Sequence, residues 1–155
     1  MKKIVFILIA VLVSGFVSGQ VDFSGTWKLN TSKSKLGGEF SMSPKEVMIK
    51  QSGNTMSVEK HSEFQGQEMT TSGKYTLDGK ECVNTGFMDT ELKSTAVWAD
   101  DKKSLKITTK FAMGGGGEEM TFVEVYSMDG DNLSVVASSS SSFGEMSETA
   151  VYDKQ

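Results

Sequence analysis

The chain has 155 residues, of which 37% are hydrophobic and 23% are charged, and its formal net charge at pH 7 is −4. This length suits one domain with a sizeable core. The 16 basic residues are all lysines, and the acidic balance argues against a nucleic-acid partner or an anionic membrane surface, since both need clustered positive charge. Cys82 is the single cysteine, so no intramolecular disulfide can form, and stability must come from a hydrophobic core and backbone hydrogen bonds.

The first 19 residues have the pattern of a secretory signal peptide. A basic start at 1–3 is followed by an apolar centre at 4–13 and by small residues before Gln20. A membrane-spanning helix needs about 20 apolar residues, and Ser14 and Gly15 interrupt this run too early. The sequence therefore predicts cleavage after residue 19, a secreted or periplasmic protein with no membrane anchor after cleavage, and a single domain over 20–155.

The next stretch, DFSGTWKLN at 22–30, predicts a half-buried strand. Its small and apolar residues alternate with polar ones, and a strand places alternate side chains on opposite faces. Trp27 therefore points inward. Gly25 lies on the same face two residues earlier, where a glycine permits a bend and a close backbone approach that a Cβ would block.

Nine further strands are predicted after a polar loop at 31–44. Turn signals separate them, among them Asp78-Gly79, the glycine run 114–117 and the 129–132 segment. No segment has a convincing helical period. The predicted strands are 45–51, 55–64, 68–77, 81–88, 91–99, 105–113, 120–128, 133–141 and 146–154.

Short connections make consecutive strands antiparallel, and ten such strands rarely remain an open sheet because exposed edges invite aggregation. Closure removes those edges. A two-sheet sandwich is the rival architecture, but it needs long crossover connections, and only the 31–44 loop is long enough. The prediction is an all-β fold, an antiparallel up-and-down β-barrel of about 8–10 strands.

Residues that carry chemistry are few. His61, the only histidine, alternates with polar neighbours and is predicted to face water, and Cys82 is interpreted as a small buried apolar residue. The 129–132 segment has the composition of a calcium-loop fragment, but an ordinary hairpin turn explains it better. Alternate serines of 138–142 should face the interior. The sequence offers no nucleophile with its base and no metal ligands at motif spacing, so we predict no enzyme activity, no metal site and no cofactor.

Both ends of the domain resemble a known superfamily. FSGTWKLN resembles the Gly-x-Trp opening strand that lipocalins and intracellular fatty-acid-binding proteins share, and together these are called calycins. VYSMDGDNLSVVASSSSSFGEMSETAVYDKQ is similar to the last two hairpins of the fatty-acid-binding proteins. The spacing also resembles small secreted bacterial lipocalin-like proteins. The resemblance implies a barrel in which Gly25 and Trp27 plug one end.

The same resemblance implies a set of interior residues and several departures. Tyr152 matches the final tyrosine of the fatty-acid-binding proteins, but Ala150 replaces the arginine that holds the ligand carboxylate. No arginine is present to cover Trp27, as one does in lipocalins, and no two-helix lid follows the first strand. With Tyr126 and Phe111, Ala150 and Tyr152 are predicted to form a ligand-binding wall that offers hydrogen bonds but no positive charge.

The functional prediction is an exported β-barrel that binds a small apolar or amphiphilic molecule, with no clamp for a free carboxylate. The alternative is a structural or protein-interaction domain whose interior is filled by its own side chains and holds no ligand. The two differ in how much empty interior volume remains.

Overall fold

The computed structural model describes residues 19–38, 41–112, 118–142 and 144–155. The predicted fold class is confirmed, because ten antiparallel strands form a nearly closed barrel. Residues 1–18 of the predicted signal peptide and the predicted glycine turn at 114–117 lie outside the described residues. The strands are β1 (Gly25–Leu29), β2 (Glu46–Ser52), β3 (Thr55–Phe64), β4 (Gln67–Thr76), β5 (Cys82–Thr85), β6 (Glu91–Trp98), β7 (Ser104–Ala112), β8 (Glu119–Asp129), β9 (Asn132–Ser141) and β10 (Gly144–Lys154).

The strands pair in the order β4-β3-β2-β1-β10-β9-β8-β7-β6-β5, so consecutive strands pair with one another except β4 and β5, which form the two edges, and β1 pairs with β10. Trp27 lies opposite Val47 of β2 and opposite Lys154 of β10. This pairing brings the two ends of the domain together. Within the part of the chain that the structure describes, no helix is long and apolar enough to cross a membrane.

The barrel closes between β4 and β5 through side chains instead of a backbone ladder. The amide of Asn84 accepts a hydrogen bond from the Lys74 backbone N–H at 2.8 Å and donates one to the Lys74 carbonyl at 3.1 Å. The Thr76 N–H donates to the Cys82 sulfur at 3.2 Å. Cys82 is therefore a half-buried acceptor in this junction, and its interpretation as a buried apolar residue was wrong.

The predicted strand at 81–88 is too long. β5 ends at Thr85, and a short 3₁₀ helix follows at Phe87–Asp89. Met88 and Asp89 have φ values of 54° and 58°. This left-handed conformation is incompatible with a strand, so the apolar Phe87-Met88 pair belongs to a connection and not to β5.

Aromatic side chains pack together at one end of the barrel. Trp27 is 1% exposed, and its indole N–H donates to the Phe23 carbonyl at 2.9 Å. Phe23 is fully buried and stacks on Trp98 with ring centroids 5.7 Å apart. The side chain of Gln51 bonds the backbone of the segment that carries Phe23, which holds this segment across the barrel end.

Gly25 is explained by the residues around Trp27. The Lys154 ammonium lies 5.4 Å from the centroid of the Trp27 ring, within the range of a cation–π contact. A Cβ at Gly25 would lie 3.1 Å from Lys154 Cε and 3.3 Å from Trp27 Nε1, and φ at Gly25 is +151°. Glycine is thus the residue that leaves room for both side chains. No arginine is present to cover Trp27, and a lysine of the last strand lies over its ring instead.

Candidate functional site

A cavity of about 800 Å³ occupies the interior towards the end of the barrel opposite Trp27. This volume lies within the range of small-molecule sites in proteins. Most of its wall surface is apolar. The large apolar and aromatic residues that line it are Met42, Val58, Tyr75, Phe87, Met88, Leu92, Phe111, Met120, Phe122 and Met146.

Strand periodicity positions the lining. On β3, Val58 and Lys60 point inward while His61 lies on the outer face, bonded to Glu59 and Thr70. The prediction that His61 belongs to the outer surface is confirmed. On β9, Ser139 lines the cavity as the alternation of the serine run predicts.

An ion pair crosses the interior. The Lys60 ammonium lies 2.6 Å from each carboxylate oxygen of Glu124, and the two side chains are 19% and 8% exposed. Lys60 is on β3 and Glu124 is on β8, strands that are not neighbours in the sheet. The expectation of an interior without positive charge was therefore wrong. Because the carboxylate neutralises the lysine, the pair leaves the cavity with a polar region of no net charge.

The three tyrosines of the chain lie around this pair. Tyr126 is buried, and its hydroxyl donates to Glu124 Oε1 at 3.3 Å. Burial and the nearby Glu124 charge raise the pKa of Tyr126 well above its ordinary value. The same two causes raise the pKa of Tyr75 and of Tyr152. The hydroxyls of all three therefore stay protonated while the fold is intact.

These raised pKa values predict a loss of stability in alkali. Unfolded tyrosine ionises near pH 10. The contribution of the three protonated tyrosines to the free energy of unfolding is therefore fully present below that pH, and it is lost as pH rises towards the folded pKa values. We expect no tyrosinate absorbance until the native near-ultraviolet circular dichroism is lost, and then ionisation of all three residues in one step. A tyrosine that titrates near pH 10 in the folded protein would contradict this arrangement.

A buried carboxylate fixes the connection between β1 and β2 to the barrel. Glu148 of β10 is buried and accepts hydrogen bonds from the Gly37 N–H at 2.9 Å, the Ser41 hydroxyl at 3.2 Å and the Ser43 hydroxyl at 2.6 Å. We call residues 37–43 the strap; positions 39 and 40 lie outside the described residues. Met42 of the strap lines the cavity. The strap thus belongs to the connection after the first strand, where the fatty-acid-binding proteins have a two-helix lid and this chain was expected to have none.

The rim of the cavity carries exposed apolar residues. Phe87 and Met88 are 64% and 82% exposed, and both also line the cavity. Met146 at the start of β10 is likewise exposed and part of the lining. The cavity therefore communicates with the surface beside these side chains.

The residues predicted to bind a ligand fall into two groups. Phe111 lines the large cavity, whereas Tyr126 and Tyr152 lie in a small pocket beneath it, together with Lys60 and Glu124. Ala150 is buried on the same inward face of β10 as Tyr152. Contact of these four residues with a ligand stays a prediction, as does the plug role of Gly25 and Trp27, whose positions are given above.

Sequence reasoning missed Lys60, Glu124 and Glu148. One signal was present, because each of the three lies an even number of positions from apolar residues of its own strand that point inward. Lys60 follows Met56 and Val58, and Glu124 precedes Tyr126. A charged residue at an inward position of a barrel strand indicates either an interior ion pair or a buried hydrogen-bond anchor.

Comparison with known proteins finds similarity in structure only. No protein-family model matches the sequence, and no curated protein matches it. A solved structure named REP1-NXSQ fatty acid transporter matches with a TM-score of 0.57 at 15% identity, over 85% of this chain and 95% of that chain. Zebrafish ileal bile acid-binding protein complexed with cholic acid matches with a TM-score of 0.57 at 13% identity, over 86% of this chain and 98% of that chain.

A third solved structure is an abundant heat soluble (SAHS) protein from Ramazzottius varieornatus, with a TM-score of 0.58 at 12% identity over 86% of this chain and 95% of that chain. None of the three names is that of an enzyme, and two of them name a transporter and a binding protein. At these identities the likeness shows a shared fold alone. The chain therefore has the β-barrel fold of these three structures, as the resemblance at its two ends implies.

Proposed function

We propose that this chain is an exported protein that binds a small amphiphile with an uncharged polar head in the cavity. The observation that carries the proposal is a cavity of about 800 Å³ with a mostly apolar wall and one charge-neutral polar region, the Lys60–Glu124 pair. An interior filled by its own side chains would leave no such volume. The binding and transport roles in the names of two neighbours support a binding role over catalysis.

The ion pair determines which head group the cavity favours. A hydroxyl or an amide with an N–H can accept a hydrogen bond from Lys60 or donate one to Glu124, and an ester can accept one from Lys60, in each case without a change in net charge. A carboxylate would have to compete with Glu124 for Lys60, and a carboxylate that loses water without a cationic partner costs free energy. The names of two neighbours refer to fatty acid and cholic acid, and we propose that this chain differs from them in head-group preference.

The export part of the proposal is supported by residues 1–19 alone. The basic start, apolar centre and small residues before Gln20 are typical of a cleaved signal peptide. Such a protein would work in the periplasm or outside the cell. Cleavage before Gln20 leaves intact the 21–24 segment that crosses the closed end of the barrel.

Competition for a fluorescent apolar probe at neutral pH tests the head-group preference. Tetradecanol should displace the probe at a concentration at least about tenfold lower than tetradecanoic acid, because ~1.4 kcal/mol of uncompensated carboxylate desolvation already changes binding tenfold. Tighter binding of the acid would contradict the preference. Probe binding that no amphiphile displaces, or no probe binding at all, would favour the filled-interior alternative.

Two variants of β6 make the test specific for the cavity. Leu92→Trp places an indole in the cavity wall, whereas Val97→Trp places the same side chain at a residue that is 50% exposed on the outer face of that strand. Leu92→Trp should weaken tetradecanol binding and Val97→Trp should not. Equal binding by both variants would place the ligand elsewhere.

A further inference from the structure

Of the described residues that line the cavity, Lys60 is the only one with an amine. Its Nζ atom lies inside an apolar cavity, beside a carboxylate that is almost fully buried. We propose that the cavity captures long-chain aldehydes covalently, as an iminium adduct of Lys60 with Glu124 as its counterion. This inference rests on the proposed function, because the aldehyde must first bind in the cavity as an amphiphile.

The contacts of Glu124 suit it both to accept a proton from Lys60 and to return that proton when water leaves. Each of its oxygens lies 2.6 Å from Lys60 Nζ, so a proton can pass directly between the ammonium and the carboxylate. The Tyr126 hydroxyl donates to Oε1 and holds the carboxylate in place. An amine freed in this way is a nucleophile towards a carbonyl carbon, as in other lysines that form Schiff bases.

The step balances without an oxidant or a reductant. The Lys60 ammonium gives one proton to Glu124, and the free amine adds to the aldehyde carbon, which forms the C–N bond. The carbinolamine hydroxyl then leaves as water and takes with it a proton returned by Glu124. Ammonium and aldehyde become iminium and water, so the single positive charge remains on the nitrogen.

Retention of that charge is the reason for expecting the adduct to persist here. The ion pair of the free protein is replaced by an equivalent ion pair between the iminium nitrogen and the same carboxylate, so no buried charge is left unpaired. The alkyl chain occupies the apolar wall and limits the access of water, which is the reactant that hydrolyses imines. An exposed lysine such as Lys106 on the outer face of β7 has neither advantage.

Reductive trapping of the full exported chain tests the proposal. The protein is incubated with tetradecanal and cyanoborohydride, which reduces an iminium to a stable secondary amine, and the modified lysines are identified by peptide mapping. Labelling of Lys60 should exceed that of Lys106 about tenfold or more, because bound aldehyde has a high effective concentration at Nζ. Tetradecanol should suppress labelling at Lys60 but not at Lys106, and glyceraldehyde, which has no apolar chain, should show no preference for Lys60.

Lys60→Arg is the matched variant, since it keeps a cation beside Glu124 but removes the nucleophile. It should lose the preferred adduct, so that total labelling by tetradecanal falls to the level expected from exposed lysines such as Lys106. The map of the unmodified sequence decides the question even if this variant fails to fold. If tetradecanol displaces the probe but Lys60 is labelled no more than Lys106, or if tetradecanol leaves Lys60 labelling unchanged, the aldehyde proposal is overturned and the proposed binding function stands. If Lys60 is not preferentially labelled and tetradecanol also fails to displace the probe, the aldehyde proposal and the proposed binding function both fail.

Discussion

Replacement of Trp27 by alanine is expected to lower the free energy of unfolding by about 3–5 kcal/mol, the usual range for a buried large aromatic residue. Trp27 is 1% exposed, donates a buried hydrogen bond to the Phe23 carbonyl and lies beneath the Lys154 ammonium. Alanine removes all three interactions and leaves a void at the closed end of the barrel. Urea denaturation, followed by far-ultraviolet circular dichroism, measures the change.

Two further variants make the Trp27 result specific. Trp27→Phe keeps much of the apolar bulk but loses the indole N–H, so it should be less destabilising than Trp27→Ala. Val97→Ala shortens an exposed side chain of the outer face and should leave the midpoint almost unchanged. An unshifted midpoint for Trp27→Ala would contradict the assignment of this residue as the plug.

Replacement of Lys60 by methionine is expected to cost a similar amount, about 3–5 kcal/mol, because it leaves the Glu124 carboxylate buried without its cation. Glu124→Leu should also destabilise, since it leaves Lys60 unpaired and removes the acceptor of the Tyr126 hydroxyl. Chemical denaturation at neutral pH gives both values.

The double variant Lys60→Met/Glu124→Leu shows whether the single variants lose stability because a buried charge is left unpaired or because packing is lost. An apolar pair of similar volume often replaces a buried ion pair with little loss or even a gain of stability. The double variant should therefore be more stable than either single variant, with a coupling energy of at least about 1 kcal/mol in the double-mutant cycle. Additive losses would show that the two charges do not act as a pair, and the neutral polar region assigned to the cavity would then be wrong.

The order of the strands could be predicted because the local signals are strong. Alternation at Phe23, Gly25, Trp27 and Leu29 and turn residues such as Asp78-Gly79 depend only on near neighbours in sequence. All ten predicted strands exist, and most of their bounds agree within two residues. Two strands differ more: β1 begins at Gly25 and not at position 22, and the strand predicted at 81–88 ends at Thr85. The composition of Phe87-Met88 suits a strand, but the backbone of Met88 turns to positive φ.

The polar contacts of the interior could not be predicted because they join distant segments. Lys60 and Glu124 are 64 positions apart, and Glu148 reaches across 105 positions to Ser43. Nothing local marks which inward charge will meet which partner across a barrel. The same holds for Lys154, which lies over Trp27 only because the last strand pairs with the first.

We propose that an uncharged amphiphile occupies the interior of the barrel. Intermolecular nuclear Overhauser effects between the alkyl chain of tetradecanol and assigned methyl groups of the protein show whether it does. We expect contacts to the methyls of Val58 and Leu92, which line the cavity, and none to those of Val97 and Val136, which are exposed and lie outside the cavity lining. Contacts confined to Val97 and Val136, or no contacts at saturating tetradecanol, would contradict it.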